Sequence, residues 1–354
     1  MTEGTAGRPE AGAGAALEPA GDPAGDPLFD RTPWPRVTVF MTVRNEERHL
    51  GASVAGALAQ DYPGEVEIVL AVGPSRDGTA RIARDLAAAH PAVKVVANRT
   101  GRTPDGLNAA VAASTGDVLA RVDGHAVLPP GYLRRAVEVL RETGAANVGG
   151  VMAAEGTTPF EAAVAAAMTS PFGVGGGRFH YGGDPGPADT VYLGVFRRAA
   201  LLRTGGYDEA FARAQDWELN HRLRGAGEIV WFTPDLRVTY HPRASLRALG
   251  TQYRDYGRWR RVVMRRHSDS VRLTYLVPPA ATLAVLAGGA LALTGRRVGL
   301  VTPAGYALAV VAASLITGRD LPPAVRLRLP VVFATMHHCW GAGFLTSPRD
   351  LGRT

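Results

Sequence analysis

Residues 36–72 read RVTVFMTVRNEERHLGASVAGALAQDYPGEVEIVLAV, and this stretch decides the fold. It begins and ends with apolar, β-branched runs over 36–43 and 66–72, which predict two buried strands. Between them lie a polar loop and a helical pattern over about 47–60. A strand, a helix and a second strand in this order form a β-α-β unit, which favours parallel strands.

The same alternation continues to about residue 122. The pattern predicts a helix over 79–90, a strand over 93–97, a helix over 104–114 and a strand over 117–122. We therefore expect an α/β fold with a mostly parallel sheet and helices on both faces. Ligands bind beyond the carboxyl ends of such strands. The polar segments Arg44–Glu46, Asp77 and Asp123–His125 each follow a strand, so they should converge on one crevice.

Asp123 and His125 lie two residues apart where a predicted strand ends. Residues at this spacing point to the same side of a strand. A carboxylate and an imidazole aimed together can hold a divalent cation, which in turn can hold a diphosphate. We expect Mg²⁺ or Mn²⁺, and the nitrogen ligand slightly favours Mn²⁺. The alternative is a solvated turn in which His125 bonds to the backbone.

The composition excludes several classes of protein. The 354 residues carry 39 basic and 32 acidic side chains and a net charge of +7. Nearly all the basic residues are arginine, and Ala and Gly are abundant, as genomic base composition can produce. The arginines are therefore no evidence for a nucleic-acid partner, and we expect none. The single cysteine, Cys339, excludes internal disulfides and Cys-based zinc clusters. Residues 1–34 are rich in Gly, Ala and Pro and predict a disordered tail, not a signal peptide.

The composition changes sharply after residue 272. The segments 273–295 and 298–318 contain no charged residue, and each is long enough to cross a bilayer, which takes about 20 apolar residues. A third apolar segment, 329–347, carries His337 and His338 and could lie at the membrane interface. We expect a membrane domain over 273–354. The alternative for all three segments is a buried helical bundle.

The segment 246–272 is basic and amphipathic, with arginines interleaved with Tyr and Trp. Arginine-rich segments beside membrane spans stay cytosolic and bind anionic lipid, and aromatic rings suit the headgroup layer. We therefore expect attachment to the inner or plasma membrane, with membrane lipid as a partner. The catalytic domain, assigned to 35–245, should face the cytosol.

Several motifs in order resemble one enzyme family. TVRNEE (42–47), AQDYP (59–63) and SRDGT (75–79) resemble the opening of a family-2 glycosyltransferase with the GT-A fold. NVGG (147–150), SPFGVGG (170–176), QDWELN (215–220) and YGRW (256–259) resemble its succinoglycan-biosynthesis branch. The chain departs from the family where Val72-Gly73-Pro74 replaces an acidic strand end, where Trp217 interrupts an acidic run, and where Asp255 replaces a glutamine.

The resemblance implies a general base that takes the proton of the acceptor hydroxyl. Asp216 matches the family's acidic motif, and Glu218 is the second candidate. If this segment opens a helix, the two side chains point to different sides and only one can face the donor. The alternative is that one of them caps the helix 217–225.

The remaining site residues are also implied by the resemblance. The residues expected to bind the donor are Arg44, Glu46, Asp77, Arg102, Asn108, Arg121 and Asp123. The residues expected on the acceptor side or in a covering loop are Arg178, Trp217, Arg258 and Trp259. The segment 102–108 starts a helix whose N-terminus would attract phosphate, or it is a simple N-cap by Thr103.

The resemblance implies an inverting, metal-dependent hexosyltransferase. We expect a nucleotide-sugar donor, UDP-sugar first, and a lipid-linked saccharide acceptor in exopolysaccharide or cell-envelope glycan synthesis. One alternative is a processive polysaccharide synthase, which should have more spans. Another is a catalytically inactive membrane-bound nucleotide-sugar binder. The third, a nucleotidyltransferase, should carry a Gly-rich phosphate loop where Arg44-Asn45-Glu46 stands.

Overall fold

A computed structural model describes residues 26–175 and 177–352, and across them an eight-stranded sheet is flanked by helices. The strands are β1 (Val37–Val43), β2 (Val66–Val72), β3 (Val93–Ala97), β4 (Val118–Arg121), β5 (Asn147–Ala154), β6 (Gly186–Pro187), β7 (Tyr192–Arg197) and β8 (Val230–Tyr240). The helices are α1 (Leu50–Leu58), α2 (Thr79–Ala89), α3 (Thr103–Ala113), α4 (Tyr132–Thr143), α5 (Pro159–Met168), α6 (Pro171–Val174), α7 (Arg178–Tyr181), α8 (Arg198–Arg203), α9 (Gln215–Gly225), α10 (Leu246–Arg266), α11 (Val277–Leu293), α12 (Val301–Thr317), α13 (Pro323–Arg326) and α14 (Leu329–Leu345).

The sheet has the order β3-β2-β1-β4-β7-β5-β8-β6. The first four strands are parallel, and β7 runs antiparallel between β4 and β5. The pair β5 and β8 is parallel again, and the short β6 is antiparallel to β8. The predicted α/β fold with a mostly parallel sheet is confirmed.

Both faces of the sheet are buried, and the period of two in β1 shows why. Val39 and Met41 enter the core beneath α1 and α4, while Phe40 enters the core on the opposite face beneath α3. All three side chains are 0% exposed. Strands covered on both faces carry continuous apolar runs, which is the pattern that the sequence shows. In β1 the two polar residues, Thr38 and Thr42, lie next to the two ends of the strand.

The N-terminal boundary differs from the expected tail over 1–34. Residues 1–25 of that tail lie outside the described residues. Residues 26–34 pack against the catalytic domain instead of extending from it. Asp26 forms an ion pair with Arg197 at 2.5 Å, and the guanidinium of Arg141 lies 4.8 Å from the ring centre of Phe29. Trp34 meets Tyr62 edge to face at 5.6 Å between ring centres.

Two C-terminal helices are long and apolar enough to cross a membrane: Leu273–Leu293 and Arg297–Thr317, each with its short 3₁₀ first turn. Only 17% and 22% of their apolar windows are buried within the described residues. Leu293, for example, is 91% exposed. A buried helical bundle would not leave such side chains uncovered, so the exposure favours a membrane environment for these two candidate spans.

The third apolar helix, α14, is buried to a greater extent and packs along α10. A Cβ at Gly257 of α10 would lie 1.9 Å from the carbonyl oxygen of Trp340, and one at Gly343 of α14 would lie 2.0 Å from that of Arg254. Only glycine permits so close an approach of two helix backbones. The basic helix α10 is therefore held directly against the apolar C-terminal part of the chain.

Candidate active site

The loops that follow β1 and β2 are joined to each other by hydrogen bonds. The backbone N–H of Glu46 donates to the hydroxyl of Thr79 at 2.7 Å, and that of Glu47 donates to Asp77 Oδ2 at 3.2 Å. Asn45 adopts a left-handed conformation, with φ of 57°, at the turn between them. Hydrogen bonds from Thr79 and from backbone N–H groups hold the pKa of Asp77 below its usual value. Asp77 is thus an ionised carboxylate at the rim of the crevice.

The loop after β4 joins the same crevice through His125. Its Nδ1 lies 2.9 Å from Glu46 Oε1. This hydrogen bond raises the pKa of His125, although burial and the charge of Arg243 act in the opposite direction. Within the described residues Nε2 makes no hydrogen bond, so the nitrogen available for a ligand is the one turned away from Glu46. The expected convergence of the three loops is what the structure shows.

Arg121, the last residue of β4, bonds to both Asp123, the predicted cation ligand, and Asp216, the predicted base. Its guanidinium contacts Asp123 Oδ1 at 3.0 Å and also bonds to Asp216 Oδ1. The side chain of Arg121 is only 7% exposed. Burial acts to lower its pKa, but the charge of Asp123 and its hydrogen bond outweigh this effect and raise it. The predicted cation ligand and the predicted base therefore lie on either side of one buried guanidinium.

The structure separates the two candidates for the base. Asp216 is the second residue of α9 and its side chain is 39% exposed at the crevice. Glu218 is 1% exposed, and Arg222 donates to both of its carboxylate oxygens at 2.7 and 2.8 Å. Neither carboxylate caps α9, whose N-cap residue is Ala214 without a side-chain bond. Asp216 faces the crevice, and Glu218 holds the helix in place.

Asn108 and Arg102 tie α3 to the segment that precedes α9. The side-chain amide of Asn108 donates to the carbonyl of Tyr207 at 2.8 Å and accepts from its N–H at 2.9 Å. Gly206 has a φ of +72°, and a Cβ there would lie 2.9 Å from Asn108. The guanidinium of Arg102 bonds to the carbonyl of Glu209. These contacts make Asn108 a positioning residue for the turn over 205–209.

Arg44 and Arg102, two other residues predicted to bind the donor, lie in the loops after β1 and β3. Arg44 Nη1 donates to the carbonyl of Gly101 at 3.4 Å, so the loop after β1 also meets the loop after β3. Helix α3 begins at Thr103 with Arg102 as its N-cap residue and no side-chain cap bond. The alternative of capping by Thr103 is therefore wrong.

The residues predicted for the acceptor side are dispersed. Trp217 stacks on His221 with ring centres 5.2 Å apart. Trp259 is 8% exposed and packs in the core beside Phe211. Arg178 donates to the carbonyl of Asp184 at 3.4 Å. Within the described residues, no hydrogen bond or ion pair joins these side chains to Asp123 or Asp216.

Arg258 and Arg260 lie on the same helix but in different surroundings. Nε of Arg258 is buried and has no hydrogen-bond partner among the described residues. Arg260 lies 4.9 Å from the ring of Trp217 and 4.4 Å from that of Tyr275. From the sequence, Arg260 is only one of the arginines of the segment 246–272, which is expected to bind anionic lipid. Its ring partners, Trp217 and Tyr275, are distant in sequence, so no local pattern signals this stacked position.

A second group of side chains that could hold a metal ion was not predicted and joins α9 to the segment after α10. His221, His267 and Asp269 place one nitrogen or oxygen each within 4.8 Å of the others. His221 lies 3.3 Å from Asp269, and His267 lies 3.3 Å from Glu218. Each histidine therefore already faces a carboxylate, and burial lowers the pKa of His221.

A comparison of sequences gives the family. The profile of the family described as "Glycosyltransferase like family 2" matches residues 35–261. The chain belongs to glycosyltransferase family 2. It is 33% identical over 317 residues to the succinoglycan biosynthesis protein ExoA of Rhizobium meliloti, which covers 87% of this chain and 94% of the relative. The resemblance to the succinoglycan-biosynthesis branch is confirmed, and the nucleotidyltransferase alternative is wrong.

Two more distant relatives of this family 2 protein complete the comparison. The dolichyl N-acetyl-alpha-D-glucosaminyl phosphate 3-beta-D-2,3-diacetamido-2,3-dideoxy-beta-D-glucuronosyltransferase of Methanococcus voltae is 23% identical over 239 residues, covering 65% of this chain and 74% of the relative. The mannosyltransferase PcManGT of Pyrobaculum calidifontis, solved with GDP-Man and Mn²⁺, superposes with a TM-score of 0.57 at 21% identity. That match covers 89% of this chain and 88% of the other, and it confirms the GT-A fold.

Proposed function

We propose that this family 2 glycosyltransferase moves a sugar, with inversion, from a nucleotide-sugar donor to a lipid-linked saccharide. The observation that carries the proposal is the arrangement of Asp123, Arg121 and Asp216 at the carboxyl edge of the sheet. It supplies an acidic residue for the donor side and a second, partly exposed carboxylate for the acceptor. The relatives' names support a role in exopolysaccharide or cell-envelope glycan synthesis.

The residues at the end of β4 fit a divalent cation. Asp123 offers carboxylate oxygen and His125 offers Nε2, a donor set that suits Mn²⁺ and also admits Mg²⁺. A cation bound there would offset the negative charge that develops on the leaving diphosphate. The complex of the mannosyltransferase with GDP-Man and Mn²⁺ supports this part of the proposal.

We assign the proton transfer to Asp216. Its carboxylate is 39% exposed at the crevice and is held in place by the guanidinium of Arg121. The acceptor hydroxyl would approach from the side of α9, opposite the leaving diphosphate. Asp77 and Arg44, at the other end of the crevice, would lie beside the nucleoside, as would Glu46. We keep a UDP-sugar as the first donor to test, and GDP-mannose as the second.

The membrane part of the proposal rests on the exposed apolar helices. We propose that α11 and α12 cross the inner or plasma membrane and that the catalytic domain, 35–245, faces the cytosol. The segment 246–272 would then lie against anionic lipid, consistent with its arginines. Two candidate spans, together with Asp255 where processive enzymes carry glutamine, favour addition of one sugar over processive synthesis.

The test uses the full chain purified in detergent with a panel of radiolabelled nucleotide sugars. Each donor is incubated with total membrane lipid, with Mn²⁺ or with chelator, and lipid-extractable label is measured. We expect metal-dependent transfer from one donor, with a product one sugar longer than the acceptor. A ladder of long products would show a processive synthase. Binding of the donor without transfer or hydrolysis would show the inactive binder.

A further inference from the structure

A cavity of about 400 Å³ opens at the N-terminal end of α10, outside the site described above. Three arginines line it: Arg213, Arg243 and Arg247. Among the described residues none of these guanidiniums has a hydrogen bond, an ion pair or a ring contact. By contrast, Arg266 at the other end of α10 is paired with Asp208, and Arg272 beyond it is paired with Asp189. The cavity therefore gathers unneutralised positive charge.

The charge of the lining suits a phosphoryl group. Asp255 is the one carboxylate among the lining residues, so three guanidiniums and one carboxylate leave a formal charge of +2. A phosphate or diphosphate offers the acceptor oxygens and the negative charge that guanidiniums bind most strongly. A volume of this size is also within the range of small-molecule sites, about 300–1,000 Å³.

A second feature of the cavity suits a sugar. Gln252 lines it and donates through Nε2 to the hydroxyls of Tyr240 and Tyr256, each at 2.9 Å. Its Oε1 is buried and has no hydrogen-bond partner among the described residues. A buried acceptor without a partner is costly, and a ligand hydroxyl would satisfy it. The cavity thus combines a cationic lining with a buried hydrogen-bond acceptor that has no partner among the described residues.

The position of the cavity connects it to the acceptor side of the reaction. Arg213 lies three residues before Asp216, in the turn that leads into α9. Arg243 lies three residues after Tyr240, the last residue of β8. Helix α10 then runs from the cavity towards the candidate membrane spans. The cavity lies between the proposed base and the part of the chain that would meet lipid.

We propose that this cavity binds the phosphoryl group of the acceptor, a lipid-linked sugar phosphate or diphosphate, with Gln252 against the adjoining sugar. This inference rests on the acceptor class proposed above and adds the group by which the acceptor is recognised. The donor diphosphate has the same chemistry, and the experiment separates the two sources.

The experiment measures binding of farnesyl diphosphate, farnesol, UDP and GDP to the full chain in detergent by calorimetry. We expect farnesyl diphosphate to bind and farnesol to bind at least tenfold more weakly. Arg213→Gln and Arg243→Gln should each weaken the binding of farnesyl diphosphate by about tenfold, because each removes one charge-assisted contact. Neither variant should change the affinity for UDP or GDP by more than about twofold. The control Arg84→Gln, on the exposed face of α2, removes the same charge and should change nothing.

Three results would overturn the proposal. Equal weakening of the nucleoside diphosphates would assign the cavity to the donor. Undetectable farnesyl diphosphate binding, or binding that the two cavity variants leave intact, would show that the cavity does not hold the acceptor. Metal-dependent donor hydrolysis, measured on the same preparations, reports on the proposed function separately. Hydrolysis without farnesyl diphosphate binding would reject only the cavity, and binding without hydrolysis would reject only the transferase activity.

Discussion

Two substitutions on the first turn of α9 distinguish a residue that takes a proton from a residue that holds the helix. Asp216→Asn keeps the size and most hydrogen bonding of the side chain but removes proton acceptance. Glu218→Gln makes the same chemical change two residues along, where the side chain is 1% exposed and bound to Arg222. The matched pair therefore tests the role of each position and not the chemistry of the substitution.

The structure gives the expected magnitudes. Loss of general-base catalysis at Asp216 should lower turnover by about 10²-fold or more. The ion pair of Asp216 with Arg121 is partly exposed, and losing it should cost only about 1 kcal/mol of stability. Glu218→Gln leaves the Arg222 guanidinium without its buried partner, which should cost about 3–5 kcal/mol. At about 2–4 °C per kcal/mol, the melting temperature of that variant should fall by about 6–20 °C.

The assay measures turnover per folded molecule, with the folded fraction taken from thermal unfolding at the same temperature. Asp216→Asn should retain donor binding within a few-fold and a near-normal melting temperature while losing turnover. Glu218→Gln should lose stability but keep most of its turnover per folded molecule. If Glu218→Gln is the inactive variant and Asp216→Asn turns over normally, the assignment of the base is wrong.

Three further predictions follow from the same structure. Asp123→Ala should abolish Mn²⁺-dependent transfer with little change in melting temperature, and full activity of this variant after chelation and readdition of Mn²⁺ would reject the cation site. In a cysteine-free background, a cysteine that replaces Arg296 should be labelled from outside intact cells, and one that replaces Arg84 should not. Labelling at position 84 would show that the proposed topology is wrong. Burial acts to raise the pKa of Glu67, but hydrogen bonds, with that from Lys94 the largest, outweigh it and lower the pKa from 4.5 to about 2. The stability that Glu67 contributes should thus be complete above pH 4.5 and lost as the pH falls towards 2. The free energy of unfolding of Glu67→Gln should therefore depend less steeply on pH over that window. An unchanged pH dependence would contradict this prediction.

Much of the fold follows from local pattern, and the rest depends on pairing between distant segments. The ranges 66–72 and 93–97 were predicted with the bounds that the structure has, because each is a short apolar run between polar loops. The antiparallel insertion of β7 between β4 and β5 could not be predicted in this way. Strand order is set by contacts across many residues, and the period of a strand carries no information about its neighbour.

The candidate site likewise combines features that follow from local pattern with contacts between residues that are distant in sequence. The three loops at the carboxyl edge were predicted from topology, since parallel strands end at one edge. The family motif favours Asp216 over Glu218, but local pattern does not decide between them, because the choice depends on the rotation of α9 about its axis. Arg222, four residues after Glu218, was the available signal, since residues at this spacing face each other on a helix. The partnership of Arg121 with Asp216 joins residues 95 positions apart and has no local signature.

The glycine contacts between α10 and α14 set a distance for the reaction. Two helices whose backbones touch at Gly257 and Gly343 cannot slide or tilt against each other without a clash. If α14 rests at the membrane, the contact with α10 keeps the distance between the crevice and the lipid surface constant. The lipid-linked acceptor proposed above would then be selected by the number of sugars between its anchor and its free hydroxyl. A product longer by one sugar would no longer reach Asp216 in the same pose.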